Sequence, residues 1–412
     1  MRFVLYIVIL LSFYTNASTI DVCSSCDIKS IKEAVFLAKN SDTILVKKGV
    51  YKESSIILIN KELHLIGEGN PIVDGDHKET IFKINSDNFS IEGFTIINVG
   101  QSYTKDYAAI LVSKSKYFTI KNNILKDVFF GILIEKSRYG IVENNIVNSN
   151  AVTEANSGNG IHLWHSSHMK INNNKVSGLR DGIYFEFVKN STVTNNVSKD
   201  NVRYGLHFMF SNHNEYHHND FNNNGAGVAV MFSKYIRMHH NTFRYNWGTA
   251  SYGLLLKEIY DAQIENNYFE QNTIGINVDG CTRIDYTNNH FVRNGWAVKF
   301  NGGCYKNIFE YNNFMHNAFD LSYNSKLNNN RFEANYWSEY TGYDLDKDGI
   351  GDVPHRPVKL FSYIVSKTPE SLVLLRSLFV DIINFSEKVS PVFTPDNLVD
   401  SKPIMKKIDD RN

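Results

Sequence analysis

The stretch GLHFMFSNHNEYHHNDF, residues 205–221, is followed after a short connection by GVAVMFSKYIRMHHNTF, residues 227–243, and the two align without a gap. The same frame, a glycine opening an alternating apolar run and an asparagine fourteen residues on, recurs from Gly131, Gly160, Gly182, Gly253 and Gly275. The aligned asparagines are Asn145, Asn174, Asn196, Asn219, Asn241, Asn267 and Asn289, and Ala109 to Asn123 is a degenerate eighth copy. A repeat of about 22 residues made of short β-type runs predicts a solenoid in which each repeat buries its apolar face against its neighbours. The fold class is therefore all-β: a right-handed, single-stranded parallel β-helix, one coil per repeat, with the asparagines stacked as an internal ladder. A leucine-rich horseshoe would need a leucine framework that this chain lacks. Longer gaps before Gly160 and Gly253 place insertions at one corner of the coil.

Strand side chains alternate between faces. Counted from each glycine, positions one and three carry Ile132 and Ile134, Ile161 and Leu163, Ile183 and Phe185, Leu206 and Phe208, Val228 and Val230, Leu254 and Leu256, Ile276 and Val278. This apolar set points inward. Positions two and four then face outward in two columns. Column two reads Leu133, His162, Tyr184, His207, Ala229, Leu255, Asn277, and column four reads Glu135, Trp164, Glu186, Met209, Met231, Lys257, Asp279.

Residues 1–17 have one Arg, a short apolar run and then small polar residues, the layout of a cleaved secretory signal. The apolar run falls short of the roughly 20 residues that a membrane span needs. Lys plus Arg and Asp plus Glu are both 43. With no net charge and no basic strip, nucleic acid is excluded as an expected partner. Export permits disulfides, and Cys23 with Cys26, and Cys281 with Cys304, are the two candidate pairs. Residues 18–48 form an expected N-terminal cap, with a helix over 27–40 whose apolar spacing is Ile28, Ile31, Val35 and Leu37. The β-helix is expected over 49–336. Residues 337–358 would make an acidic loop and C-terminal cap, and 359–412 a segment helical over 369–389 and extended beyond.

Met209 and Met231 fall on adjacent coils of one column, with His207 beside Met209, Glu186 one coil below, and His162 two coils below His207. Two thioethers and an imidazole suit Cu(I), a soft ion. The competing reading is packing under the insertion NAVTEANSGN, or an interface, since outward methionines invite association. His217 with His218, His239 with His240, and His165 with His168 lie at corners, where solvated or hydrogen-bonded roles compete with a second metal site. Glu135, Glu186, Lys257 and Asp279 could serve sugar chemistry. Glu135 and Glu186, two coils and about 9.6 Å apart, are compatible with hydrolysis, but Trp164 separates them. Asp344, Asp346, Asp348 and Asp352 in DLDKDGIGD have the spacing of a Ca²⁺ loop, with His355 where a bidentate Glu is expected. A plain acidic turn is the alternative.

With YGLHFMFSNHN, GVAVMFS, RDGIYF and the NYW…DLDKDGIGDVP segment in place, the chain resembles the NosD family over most of its length, from Gly49 to Pro357. The resemblance implies a periplasmic, non-catalytic accessory protein that docks on an ABC transporter, receives copper from a small chaperone and helps load apo nitrous oxide reductase. It implies Met209, Met231 and His207 as copper ligands, His162 and Glu186 as flanking groups, and the segment after Pro369 as the transporter-docking element. A carbohydrate-active β-helix lyase or hydrolase, or a metal-free scaffold, remains the alternative.

Overall fold

The computed structural model describes residues 17–102, 104–324, 329–389 and 398–409. The secretory-signal reading falls almost wholly outside them. Among the described residues the strands form three parallel sheets of 14, 12 and 13 strands, and from Thr43–Val46 onward the chain passes from one sheet to the next in strict rotation. The 12-stranded sheet, from Ile57–Ile59 to Phe319–Tyr323, holds the glycine-led strands. This is the expected solenoid. Its register is that of the repeat: Ile183 pairs with Leu206 and then Val228, and Glu186 with Met209 and then Met231. Positions one and three are buried without exception from Ile132 to Val278.

The opening glycine of each coil has a steric cause. A Cβ on Gly205 would lie 2.6 Å from the Gly227 carbonyl oxygen, and one on Gly227 would lie 2.5 Å from that of Gly253. Both are far inside van der Waals contact, and the same clash recurs from Gly131 to Gly275.

Each corner carries a ladder. At the corner between the 14- and 13-stranded sheets, Asn219 donates its backbone N–H and side-chain amide to the Asn241 oxygen at 3.1 and 2.9 Å, and Asn241 does the same to Asn267 at 3.0 Å. The ladder extends beyond the repeats read from sequence, through Asn312 to Asn335. A second ladder, Asn201, Asn224, Asn246, Asn272, Asn294 and Asn317, runs five residues after the first and was not anticipated. Buried amide groups need partners, and each rung supplies them to the next.

The third corner corrects one expectation. Ser137, Ser211 and Ser233 occupy position six and donate their hydroxyls to the carbonyls of Glu135, Met209 and Met231. Cys281 stands at that position and bonds to the Asp279 carbonyl at 3.3 Å, while Cys304 bonds to that of Asn301 at 3.2 Å. Both are free, buried thiols rather than a disulfide. Burial pushes both thiols above the ordinary cysteine range, and they behave as apolar-compatible substitutes for serine. Cys23 and Cys26 are disulfide-bonded.

The ends differ in detail from the sequence reading. Helix α1 spans Ile31–Leu37, capped by Ser30, and is shorter than expected. Ile31, Ala34 and Val35 pack on the first coil, whereas Leu37 is exposed because the helix stops at it. The strand Thr19–Val22 already pairs with Thr43–Val46, so the ladder begins inside the segment read as a cap. At the far end Asp400 takes the next rung of the asparagine ladder. Its Oδ2 accepts from the Asn335 N–H and side-chain amide at 3.0 and 3.1 Å, and from the Trp337 indole at 3.0 Å. The single helix expected over 369–389 is broken: a 3₁₀ turn covers Pro369–Leu374, Arg376 has φ of 68°, and an α-helix resumes at Leu378–Val389. An unanticipated helix, α2 at Leu360–Lys367, covers Phe319 with Phe361 and Val365, and the resumed helix is α3.

Candidate metal centre

The strands Asp181–Glu186, Tyr204–Met209 and Ala226–Met231 lie side by side in the 12-stranded sheet. Met209 and Met231 are direct cross-strand partners, with Glu186 on the other side of Met209 and Lys257 beyond Met231. Both methionines are half-buried. The Tyr184 hydroxyl lies 3.6 Å from the Met209 sulfur, which turns that thioether toward column two.

Column two points away from the solenoid core, as the alternation requires, but it is not exposed. His207 is 4 % exposed, Tyr184 8 % and His162 9 %. The rings stack along the sheet: His162 on Tyr184 and Tyr184 on His207, each at 4.6 Å, with Tyr204 tilted against His207 at 4.8 Å. The insertion ahead of Gly160 helps to cover them. Its Glu154 reaches Arg203 at 3.8 Å, and the Asn159 amide lies 3.4 Å from His162 Nδ1.

This stack separates the expected site residues into two sets. His207 and Met209 are next-but-one on one strand and Met231 is opposite Met209, with Glu186 on the other side of Met209. His162 does not join them, because the Tyr184 ring fills the space between the imidazoles. Burial, and then the charge of Arg180, lowers the His162 pKa to about 3, so it is neutral.

Two residues that the sequence reading missed stand behind His207. Asp181 is fully buried and takes both bonds of the Arg203 guanidinium, at 2.8 and 2.5 Å. Its Oδ2 lies 3.6 Å from His207 Nδ1, an ion-pair distance rather than a hydrogen bond. Burial alone would raise the Asp181 pKa; Arg203 and His207 outweigh it and hold the carboxyl at about 2. Neither nitrogen of His207 has a hydrogen-bond partner among the described residues. A buried imidazole with a carboxylate near one nitrogen and no hydrogen-bond partner at the other is arranged like a metal-binding histidine, whose second nitrogen faces an orienting group. Thioether sulfur and imidazole together match the preferences of a soft ion. The signal in the sequence was the charge of Asp181 directly before Gly182, a position that counting onward from each glycine passes over.

Beside the methionines, Phe187, Phe210 and Phe232 occupy consecutive left-handed positions with φ of 54°, 51° and 53°. Their rings stack at 5.2 and 5.1 Å, and the first two are exposed. The stripe thus has an apolar rim on the outer surface.

The other expected sites are distinct. Carboxylate oxygens of Asp344, Asp346 and Asp348 converge within 4.8 Å. Asp352 does not join them and accepts from the Leu345 N–H at 2.8 Å. Across the solenoid, on the 14-stranded sheet, nitrogens of His217, His218 and His239 also lie within 4.8 Å of one another. Glu135 and Glu186 are separated by Trp164, over which the Lys136 ammonium sits at 4.9 Å.

The profile described as "Periplasmic copper-binding protein (NosD)" matches residues 143–342, and that of a right-handed β-helix region matches residues 12–176. Two relatives named "Probable ABC transporter binding protein NosD" are each 26 % identical: one from Pseudomonas aeruginosa, covering 85 % of both chains, and one from Stutzerimonas stutzeri, covering 84 % of both. Among solved structures, the catalytic domain of a GH87 α-1,3-glucanase superposes with a TM-score of 0.62 at 14 % identity, over 78 % of this chain and 69 % of that one. At that identity the likeness is one of fold alone.

Proposed function

We propose that the chain, which is similar to the NosD family over residues 143–342, is a periplasmic, non-catalytic copper carrier that works with an ABC transporter during maturation of nitrous oxide reductase. The observation that carries the reading is the pairing of Met209 with Met231 beside the unbonded nitrogens of His207. Copper is the cargo. Met209 and Met231 would supply thioether sulfur and His207 an imidazole nitrogen, a donor set that favours Cu(I) over hard ions. Asp181, fixed by Arg203, orients His207. Glu186, next to Met209 in the column, is the group through which the ion would enter or leave.

Transfer between proteins requires ligands that a donor or acceptor protein can reach. Half-buried methionines on an outer face meet that need, and the exposed Phe187 and Phe210 give a docking protein an apolar edge. A small copper chaperone as donor and apo nitrous oxide reductase as acceptor complete the proposal. For the transporter, α3 is the docking element. Leu378, Ile382, Phe385 and Val389 fall along one helical face and are 55–75 % exposed, a pattern that suits an apolar groove. The Asp344 loop is read as a structural Ca²⁺ site.

X-ray absorption of the protein loaded with one equivalent of Cu(I) tests the site's chemistry. The expected first shell contains sulfur together with a nitrogen scatterer. A shell of nitrogen or oxygen alone would overturn the thioether assignment.

A further inference from the structure

On the 14-stranded sheet, a different face of the solenoid from the methionine stripe, the strands Glu215–His217 and Arg237–His239 pair so that His217 lies against His239. The next residue in each coil is also a histidine. His218 and His240 have φ of 56° and 54°. In an extended strand consecutive side chains would diverge; the left-handed bend instead brings each pair together. His217 Nδ1 is 2.8 Å from His218 Nδ1, and His239 Nδ1 is 3.0 Å from His240 Nδ1. The rings repeat from coil to coil, His217 on His239 at 4.6 Å and His218 on His240 at 4.9 Å.

The hydrogen bonding fixes where lone pairs are available. His239 Nε2 lies 2.8 Å from Glu215 Oε1, so in the neutral ring the proton sits on Nε2 and Nδ1 is an acceptor, which takes the Nδ1 proton of His240 until an ion displaces that proton. Glu215 is itself held by Arg237 at 3.3 Å. A carboxylate on the far nitrogen of a histidine is the recurring support of metal-bound imidazoles. The spacing is also informative. Two nitrogens each about 2.0 Å from one ion lie roughly 2.8–2.9 Å apart at a right angle and roughly 3.3 Å apart in a tetrahedron. The observed 2.8 and 3.0 Å correspond to the right-angle arrangement.

We propose that His217, His218 and His239, with His240 adjoining, form a second metal site for a divalent, imidazole-preferring transition ion in the square-planar geometry characteristic of Cu(II). It is separate from the thioether stripe in ligand type, in the oxidation state it favours and in its place on the solenoid. Glu215 is a positioning residue. Entry is from solvent, since His218 and His240 are exposed. The site stands whether or not the methionine stripe holds Cu(I).

The test is a Cu(II) titration of the full-length chain carrying no polyhistidine tag, followed by electron paramagnetic resonance at one equivalent. The expected result is an axial Cu(II) signal with coupling to several nitrogens. Affinity should fall on the order of 100-fold in His217→Gln, His239→Gln and about 10-fold in Glu215→Gln, with no change in Met209→Ala, Met231→Ala. Should the first double variant fail to fold, His218→Gln, His240→Gln alters only exposed side chains and should lose the same nitrogen coupling. A signal that persists unchanged in the folded histidine variants, or the absence of equimolar Cu(II) binding by the wild type, would overturn the proposal.

Discussion

At the scale of single residues, the candidate centre depends on a charge that no repeat pattern advertises. The methionine column and His207 were legible because alternation from Gly205 fixes which side chains point out. The burial of His207 was not, because it comes from Tyr184, Tyr204 and an insertion that the repeat does not contain. Asp181 was likewise hidden, since its importance lies in Arg203 and His207 one coil above. Replacing Asp181 with Asn should therefore lower Cu(I) affinity by about 10- to 100-fold while leaving Met209 and Met231 in place, as loss of an orienting carboxylate does; competition against a Cu(I) chelator measures it. The same residue gives a pH-dependent stability. Its folded pKa of about 2 lies below the unfolded value near 3.9, so its contribution is complete above about pH 4 and is lost as pH falls toward 2. Near neutral pH Asp181→Asn should cost about 2 kcal/mol. The gap between wild type and variant in urea unfolding should close as pH falls through that window; a gap independent of pH would contradict the Arg203–Asp181 assignment.

At the scale of elements, the coil was legible because two of its requirements are nearly absolute. One is a very small residue where successive coils touch, glycine from Gly131 to Gly275 and alanine at Ala109 and Ala297; the other is a buried amide that can both donate and accept at each turn. Asn241→Ala removes the acceptor for the Asn219 N–H and amide and the donor to the Tyr216 carbonyl. Leaving such groups buried and unpaired should cost about 2–4 kcal/mol, read as a lower denaturant midpoint. Gly227→Ala should destabilise by a comparable amount, since the 2.5 Å approach to the Gly253 oxygen forces the coils apart. A midpoint unchanged in either variant would argue against the ladder as the main polar support. The second asparagine ladder is also present in the sequence, five residues after the first, but it falls in the segment of variable length between coils, where the repeat frame does not hold. The thiols were misjudged for a related reason. Proximity of Cys281 and Cys304 suggested a bond, whereas the position-six column shows each filling a serine's place.

At the scale of the whole molecule, the centre of the solenoid was readable and its ends were not. Asp400 lies 65 residues from the Asn335 it caps, and no period links them. The C-terminal segment divides its work accordingly: α2 and the rung at Asp400 close the solenoid, and α3 is left with an apolar face outward. Ile382→Ser, Phe385→Ser should change stability by less than about 0.5 kcal/mol and leave copper affinity unaltered, while association with transporter-containing membranes is lost. Retained association in a flotation assay would remove α3 from the docking surface. The most direct test of the central claim is an anaerobic Cu(I) titration of the full chain against a competing chelator, beside Met209→Ala, Met231→Ala with its fold verified by circular dichroism. The account predicts tight binding near one equivalent in the wild type and its loss in the double variant. Equal binding by the two proteins, or no binding by the wild type, would contradict it.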